Sequence, residues 1–319
     1  MSAVATALVV ALVIGGLTCQ VSAVAMEQAV EIEVGKVTLH GSLLSPDLMP
    51  SKACALIIAG SGPTDRDGNS RLLPGKNNSL RYLAESLQSL SIESLRYDKR
   101  KVGESIVDDQ NESDLRFSHY VQDASFLLEW LDRRCDVPVF ILGHSEGGHI
   151  GLTVAQQRPL AGLVILAGPG THPADLIANQ LAQQISGDLL ERSEQVLREL
   201  RQGQLVASPP QELAALFRPS VQPYLISWFK HDPLAQIAGL SVPVLLVYGT
   251  ADLQVPPADG EALKLANPNA ELQVISGMNH LLKSVPGTMA EQMASYSDPS
   301  LPLAIELPPI LAKFLLGKK

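Results

Sequence analysis

A Gly-x-Ser-x-Gly turn directly after an apolar run constrains this chain more than any other feature of its sequence. Residues 137–142 (Val-Pro-Val-Phe-Ile-Leu) predict a buried strand, and residues 143–147 (Gly-His-Ser-Glu-Gly) follow it at once. Residues 148–155 then suit a helix. Glycines let the backbone pass a sharp strand-to-helix turn, and such a turn lifts a serine hydroxyl above the end of a sheet. The pattern therefore predicts that Ser145 is a nucleophile.

Apolar runs and amphipathic stretches alternate along the rest of the chain. An alternating hairpin at 29–34 and 36–44 comes first, and further strands are predicted at 53–59, 92–97, 163–168, 242–249 and 272–276. Helices are predicted at 78–89, 117–133 and 303–316. Strands that alternate with helices imply a mostly parallel sheet with helices on both faces. The predicted fold class is therefore α/β.

The segment 171–240 interrupts this alternation. It contains no predicted strand, its part 175–203 is helical and charged, and prolines at 209, 210, 219, 223 and 233 are predicted to break the remainder of the segment. A long strandless insertion between two sheet strands suits a helical cap over the strand ends. We therefore expect one sheet domain in two parts, 26–170 and 241–319, with the cap between them.

The N-terminal segment 1–25 predicts a secretory signal peptide. It is apolar over 3–17, carries no charge, and ends in the small-x-small sequence Ala-Val-Ala at 23–25. No Lys or Arg precedes the apolar run, which leaves a retained membrane anchor as an alternative, and Cys19 leaves lipid attachment as another. We expect the mature protein in the periplasm or outside the cell.

The net charge of the chain argues against nucleic acid as a partner. The formal net charge is -9 and the isoelectric point is near 5.3, which leaves no basic face for nucleic acid.

After removal of the signal peptide two cysteines remain, Cys54 and Cys135, and each precedes or begins a predicted strand. A disulfide between them suits an oxidising compartment, and two inert buried thiols are the alternative.

The nucleophile requires a base within hydrogen-bond reach and an acid that orients the base. Asp252 follows the predicted strand 242–249, and His280 follows the predicted strand 272–276. The order Ser145, Asp252, His280 is the one that such a turn in a parallel sheet requires. Asp259 is a competing carboxylate further from its strand, and the histidines at 40, 119, 144, 149, 172 and 231 are predicted to be surface or packing residues.

Two backbone N–H groups should hold the oxyanion that forms when a serine attacks a carbonyl. One is predicted to be that of Glu146, the residue after the nucleophile. The other should come from the loop after the strand 53–59, where Ser61 lies between two glycines, with Gly62 as the alternative donor.

Neither metal-like pattern in the sequence predicts a metal site. His144 and His149 lie five residues apart and would point about 140° away from each other on a helix. The loop 65–69 (Asp-Arg-Asp-Gly-Asn) opens like a calcium loop, but its glycine is misplaced and no glutamate closes it. We expect its charges to hold the loop by hydrogen bonds and to pair with Arg96, Lys99 or Arg100.

Several motifs together resemble the EstD-like group of bacterial carboxylesterases, which have the α/β-hydrolase fold. The motifs are the serine turn and the segments 60–69, 96–100, 217–229, 249–255 and 277–280. The resemblance implies hydrolysis of short-acyl carboxylic esters without a cofactor. The chain departs from the group at Lys101, where glycine usually follows the Asp-Lys-Arg run.

A small-molecule ester is therefore the expected substrate. We expect no nucleic acid and no membrane partner beyond export or an N-terminal anchor, while the oligomeric state is not readable from the sequence. A peptidase or aminopeptidase on the same scaffold is an alternative, because Glu146, Asp65 and Asp67 offer an acidic cluster for a free amino terminus. A periplasmic binding protein on an inactive hydrolase scaffold is another. Tyr224, Trp228 and Phe229 are expected either to line the pocket or to pack the cap.

Overall fold

The protein is built on one eight-stranded sheet. The computed structural model describes residues 27–47, 49–106, 111–285 and 287–317, so the predicted signal peptide lies outside the described residues. The strands are β1 Glu27–Val34, β2 Val37–Leu44, β3 Ala53–Ile58, β4 Ile92–Tyr97, β5 Val139–His144, β6 Gly162–Leu166, β7 Val244–Gly249 and β8 Glu271–Ile275. Their order in the sheet is β1-β2-β4-β3-β5-β6-β7-β8.

The sheet is antiparallel at one edge and parallel elsewhere. β1 pairs with β2, and β2 pairs with β4, in antiparallel register, while every pair from β4 to β8 is parallel. The chain leaves β3 for β4 on one side and later returns to β5 on the other side of β3. The crevice at the carboxyl ends of β3 and β5 is therefore the switch point where ligands bind in open α/β sheets.

Helices follow most of the parallel strands. They are α1 Ser79–Ser89, α2 Phe117–Asp132, α3 Glu146–Gln157, α4 Pro173–Ala182, α5 Asp188–Arg201, α6 Ala214–Phe217, α7 Gln222–Trp228, α8 Pro233–Ala238, α9 Pro257–Ala266, α10 Met289–Ser295 and α11 Leu307–Leu316. β3, β4, β5, β6 and β7 are buried along their whole length, and separate apolar clusters lie on the two faces of the sheet. Burial on both faces explains why β3, β5, β6 and β7 have largely apolar sequences, whereas β4 also buries the polar residues Glu93, Ser94 and Arg96.

The segment 171–240, described throughout, holds α4 to α8 and no strand. Its first half is two helices rather than one, because the chain turns at Gly187 with a φ of 64°. The second half is divided into short helices, as predicted, and Pro223 and Pro233 mark the starts of two of them. Both prolines lie in the first turns of α7 and α8, where a missing N–H costs no hydrogen bond. The division into core and cap domains stays a prediction.

Cys54 and Cys135 form a disulfide, which settles the choice that the sequence left open. The bond joins β3 to the segment that leads into β5, its neighbour in the sheet. Among the residues that the structure describes, no helix combines the length and the apolar character needed to cross a membrane.

Candidate active site

Ser145 lies at a sharp turn between β5 and α3. Its φ of 53° and ψ of -122° are unusual for a residue with a side chain, and its N–H donates to the Leu166 carbonyl at 2.9 Å. A side-chain carbon on Gly147 would collide with the Ile58 carbonyl oxygen, so only glycine fits there. The strained turn is the feature that the Gly-x-Ser-x-Gly pattern predicts.

Asp252 and His280 form a hydrogen-bonded pair beyond the ends of β7 and β8. His280 Nδ1 lies 2.8 Å from Asp252 Oδ2, and both residues are buried. The other carboxylate oxygen, Asp252 Oδ1, accepts the backbone N–H groups of Gln254 and Val255 at 2.8 and 2.9 Å. Burial alone would raise the pKa of Asp252, but His280 and these two amides outweigh it, so its pKa lies below the usual value.

The loop that carries His280 is attached to the serine turn. His144 Nε2 lies 2.7 Å from the His280 carbonyl oxygen, and the two rings are 4.9 Å apart. Burial lowers the pKa of His144 to about 3, so the ring is neutral and donates its Nε2–H to this carbonyl. Within the described residues no hydrogen bond joins Ser145 Oγ to His280. The structure thus places the Asp252–His280 pair beside the serine turn, but the hydrogen bond from the Ser145 hydroxyl to His280 is not formed in the described structure.

The two predicted oxyanion donors lie in the segments that flank or approach the serine. Glu146 is the first residue of α3, and the first N–H groups of a helix have no acceptor within that helix. The loop after β3 passes close to Ser145, because a carbon added to Gly60 would lie 3.2 Å from Ser145 Cβ. Ser61, the next residue, is exposed. Both amides therefore belong to segments that border the serine.

The strained serine turn and the His–Asp pair occur inside a match to a known family. The sequence model of a family described as "Serine aminopeptidase, S33" matches residues 76–284, more than half of the chain. The chain belongs to this family of α/β hydrolases. The match includes Ser145, Asp252 and His280 but does not reach Ser61.

A curated relative of this α/β hydrolase is Esterase EstD of Thermotoga maritima. The two are 29% identical over 253 residues, which cover 78% of this chain and 59% of the relative. The chain thus spans about three fifths of that relative's length. The predicted resemblance to the EstD-like group is confirmed.

Solved structures confirm the predicted α/β-hydrolase fold. Est1E of Butyrivibrio proteoclasticus with bound ferulic acid has a TM-score of 0.61 at 17% identity, over 91% of this chain and 100% of the other. A proline iminopeptidase of Mycobacterium smegmatis has a TM-score of 0.56 at 16% identity, over 90% and 97% of the two chains. An esterase and a peptidase thus share this fold, so the fold does not choose between the two reactions.

The competing carboxylate Asp259 has a structural role in this hydrolase. Its Oδ1 accepts the N–H groups of Gly170 and Thr171 at 2.8 and 2.7 Å, which holds the loop after β6. His149 and His172 also pack, as predicted. His149 contacts Gln236 and Trp228, and His172 Nε2 lies 2.9 Å from the Phe229 carbonyl oxygen.

The loop 65–69 is held by hydrogen bonds, as predicted. Asp65 Oδ1 accepts the N–H groups of Asp67 and Asn69 at 3.0 and 2.8 Å, and Asp67 pairs with Arg96 Nε at 3.0 Å. Arg100, another predicted partner, pairs instead with Asp123 on α2. Lys99, the third, also pairs elsewhere, with Glu146.

Lys99 and the Glu146 carboxylate form a buried ion pair that sequence reasoning missed. Lys99 Nζ lies 2.9 Å from Glu146 Oε2 and donates to the Gly60 carbonyl at 2.5 Å. The hydroxyl of Tyr224 on α7 donates to the other Glu146 oxygen. Burial, aided by the Glu146 charge, raises the pKa of Tyr224 well above its usual value, so the phenol keeps the proton that it donates. The sequence signal for this pair is a Lys two residues after a buried strand.

The aromatic residues of α7 pack against the core instead of opening a pocket. Trp228 is buried, donates from Nε1 to His149 Nδ1 at 2.9 Å, and stacks on Phe117 with ring centroids 6.1 Å apart. Phe229 is buried as well. The packing alternative therefore holds for these two residues.

Lys101 occupies a position whose backbone suits glycine. Its φ is 65°, in the left-handed region that costs a residue with a side chain about 1–2 kcal/mol. This conformation gives a physical reason for the glycine that the EstD-like group usually has there.

Proposed function

We propose that this protein is a serine carboxylesterase that hydrolyses short-acyl esters through an acyl-enzyme intermediate. Ser145 is the nucleophile, His280 the base and Asp252 the acid that orients the base. The observation that carries the proposal is the Asp252–His280 hydrogen bond of 2.8 Å beside a serine held in a strained strand-to-helix turn.

The reaction proceeds in two halves. His280 Nε2 takes the proton of the Ser145 hydroxyl while the oxygen attacks the ester carbonyl, and the N–H groups of Ser61 and Glu146 hold the oxyanion. His280 then gives this proton to the departing alcohol. Water, activated in the same way, attacks the acyl group and releases the acid. Asp252 stays ionised throughout, which its lowered pKa favours, and stabilises the imidazolium.

The partners of the acidic side chains favour an esterase over an aminopeptidase. A site for a free amino terminus needs a carboxylate that is open to a cationic ligand. Glu146 already pairs with Lys99, Asp67 pairs with Arg96, and Asp65 accepts two amides of its own loop. An ester has no charge at that end and does not require such a carboxylate.

The disulfide supports the proposed location. Disulfides persist in oxidising compartments, and Cys54 and Cys135 are bonded in this structure. We therefore propose that the enzyme acts in the periplasm or outside the cell, with the segment 1–25 as its export signal.

Turnover of p-nitrophenyl acyl esters from acetate to palmitate, compared with aminoacyl p-nitroanilides, tests the proposal. We expect turnover of acetate and butyrate esters, little of the anilides, and a loss of about 10³-fold or more in Ser145→Ala with unchanged circular dichroism. A fluorophosphonate probe should label the wild-type protein and not this variant. Faster turnover of anilides than of esters would establish the peptidase alternative. A wild-type protein that neither labels nor turns over either substrate would establish the binding-protein alternative.

A further inference from the structure

Lys99 is a buried cation that touches the loop bordering the serine. It is the second residue after β4, is 0% exposed, and its ammonium lies 4.9 Å from the centroid of the Tyr120 ring. Its two hydrogen-bond acceptors in the described structure are the Gly60 carbonyl and the Glu146 carboxylate. A buried ammonium is costly unless it is paired and hydrogen-bonded, so both contacts are strongly favoured.

The contact with the Gly60 carbonyl has a consequence for the next residue. The carbonyl of Gly60 and the N–H of Ser61 belong to one peptide unit, which is planar. The described backbone contains no cis peptide, so these two groups point in opposite directions. An ammonium that holds the carbonyl on one side therefore fixes the direction of the Ser61 N–H on the other.

Glu146 connects the same ammonium to the second oxyanion donor. Its carboxylate pairs with Lys99, and its own backbone N–H is the donor at the start of α3. Glu146 is buried and also accepts the hydroxyl of Tyr224, which comes from α7 between β6 and β7. One buried cluster of three side chains thus joins the loop after β3, the serine turn and helix α7.

We propose that Lys99, held by Glu146 and Tyr224, is a positioning residue that aims the Ser61 N–H at the oxyanion and ties that geometry to helix α7. This inference rests on the proposed function, because it gives these residues a role only if an oxyanion forms at Ser145. It assigns Lys99 no contact with the substrate.

The principal variant removes both charges together. Lys99→Met alone would leave a buried carboxylate uncompensated, whereas Lys99→Met/Glu146→Gln keeps the side-chain volumes and the Glu146 backbone N–H. We expect kcat for p-nitrophenyl butyrate to fall about 10²–10³-fold, as for loss of one oxyanion donor, with KM changed by no more than a few-fold. Affinity for a trifluoromethyl ketone, which forms an oxyanion on Ser145, should fall by a similar factor.

A neighbouring ion pair supplies the matched control. Arg100 follows the same strand end as Lys99, and it pairs at 2.6 Å with Asp123 on α2. Both residues are buried, and neither has a hydrogen bond to the loop 60–62 in the described structure. Arg100→Met/Asp123→Asn removes a comparable ion pair and should lower the thermal midpoint by a similar amount. Its kcat should stay within a few-fold of the wild-type value.

Tyr224→Phe is a milder variant that keeps the experiment decisive if the double variant does not fold. It removes one hydroxyl from the cluster, and we expect kcat to fall several-fold with KM unchanged. An unchanged kcat in either folded variant overturns the inference. Equal losses of kcat in the Lys99 and Arg100 double variants overturn it as well, because they would reflect stability alone.

The same variants separate this inference from the proposed function. Fluorophosphonate labelling of the wild type with an undiminished rate in Lys99→Met/Glu146→Gln overturns the positioning role and leaves the esterase proposal intact. Absence of labelling and of ester turnover in the wild type overturns both.

Discussion

The buried ring of His149 makes the stability of this protein sensitive to mild acid. His149 Nε2 lies 2.8 Å from Gln236 Oε1, and Nδ1 accepts the indole N–H of Trp228 at 2.9 Å. This arrangement suits only the neutral ring, because a proton on Nδ1 would face the indole proton. Burial is the main cause that lowers the pKa of His149 from 6.5 to about 3.

The direction of the effect follows from proton binding in the two states. Between pH 6.5 and pH 3 the unfolded chain carries a proton on this ring and the folded protein does not, so stability falls as the pH falls. Each pH unit in this window costs about 1.4 kcal/mol for each such group. From pH 7.5 to pH 5.0, His149 alone therefore lowers the free energy of unfolding by about 2 kcal/mol. His144, whose pKa is also lowered to about 3, adds a similar amount.

Urea unfolding at pH 7.5 and pH 5.0, with the disulfide intact, measures this cost. We expect the loss of stability between the two pH values to be about 2 kcal/mol smaller in His149→Gln than in the wild type. The comparison cancels the contributions of other groups, including carboxylates whose pKa is raised. His149→Gln should also be less stable than the wild type at pH 7.5, but only the difference between pH values tests the reasoning.

Thr153→Val is the matched control, because Thr153 Oγ1 accepts a hydrogen bond from Gln236 in the same cluster. It loses a polar contact but no titrating group, so its pH dependence should equal that of the wild type. An equal pH dependence in His149→Gln and the wild type would refute the assignment of a neutral, buried ring.

Two further predictions concern the site and the disulfide. Asp252→Asn should lower kcat for p-nitrophenyl butyrate about 10³–10⁴-fold with unchanged circular dichroism, because an amide does not hold the His280 tautomer as a carboxylate does; a kcat within tenfold of the wild type would contradict this role. Cys54→Ala/Cys135→Ala should lower the free energy of unfolding by about 4 kcal/mol, because the bond closes a loop between residues 81 positions apart. Urea unfolding measures this loss, and a value under about 1 kcal/mol would contradict it.

Local sequence was sufficient for the elements whose pattern repeats within a few residues. β3, β5, β6 and β7 are largely apolar runs. The serine turn is marked by glycines that must approach neighbouring backbone closely, as at Gly147. Asp252 and His280 could be predicted as a pair because each follows a parallel strand, and the carboxyl ends of parallel strands lie at the same edge of the sheet. Helices α9 and α10 were not predicted from local sequence. Pro223 and Pro233 were correctly interpreted as breaks, but the helices that begin there were not predicted, because proline ends a helix in most other positions.

The tertiary structure determined which residues far apart in the sequence form a disulfide or an ion pair. The sequence by itself determined an α/β sheet, a serine turn and the order of the three predicted catalytic residues. It left open whether Cys54 and Cys135 bond, and it left open which of Arg96, Lys99 and Arg100 pairs with the loop 65–69. Lys99 meets Gly60 and Glu146, residues 39 and 47 positions away, only because β4, β3 and β5 end side by side. The residues next to a charged side chain in the sequence do not determine which opposite charge it will contact. The order of the strands in the folded sheet determines it.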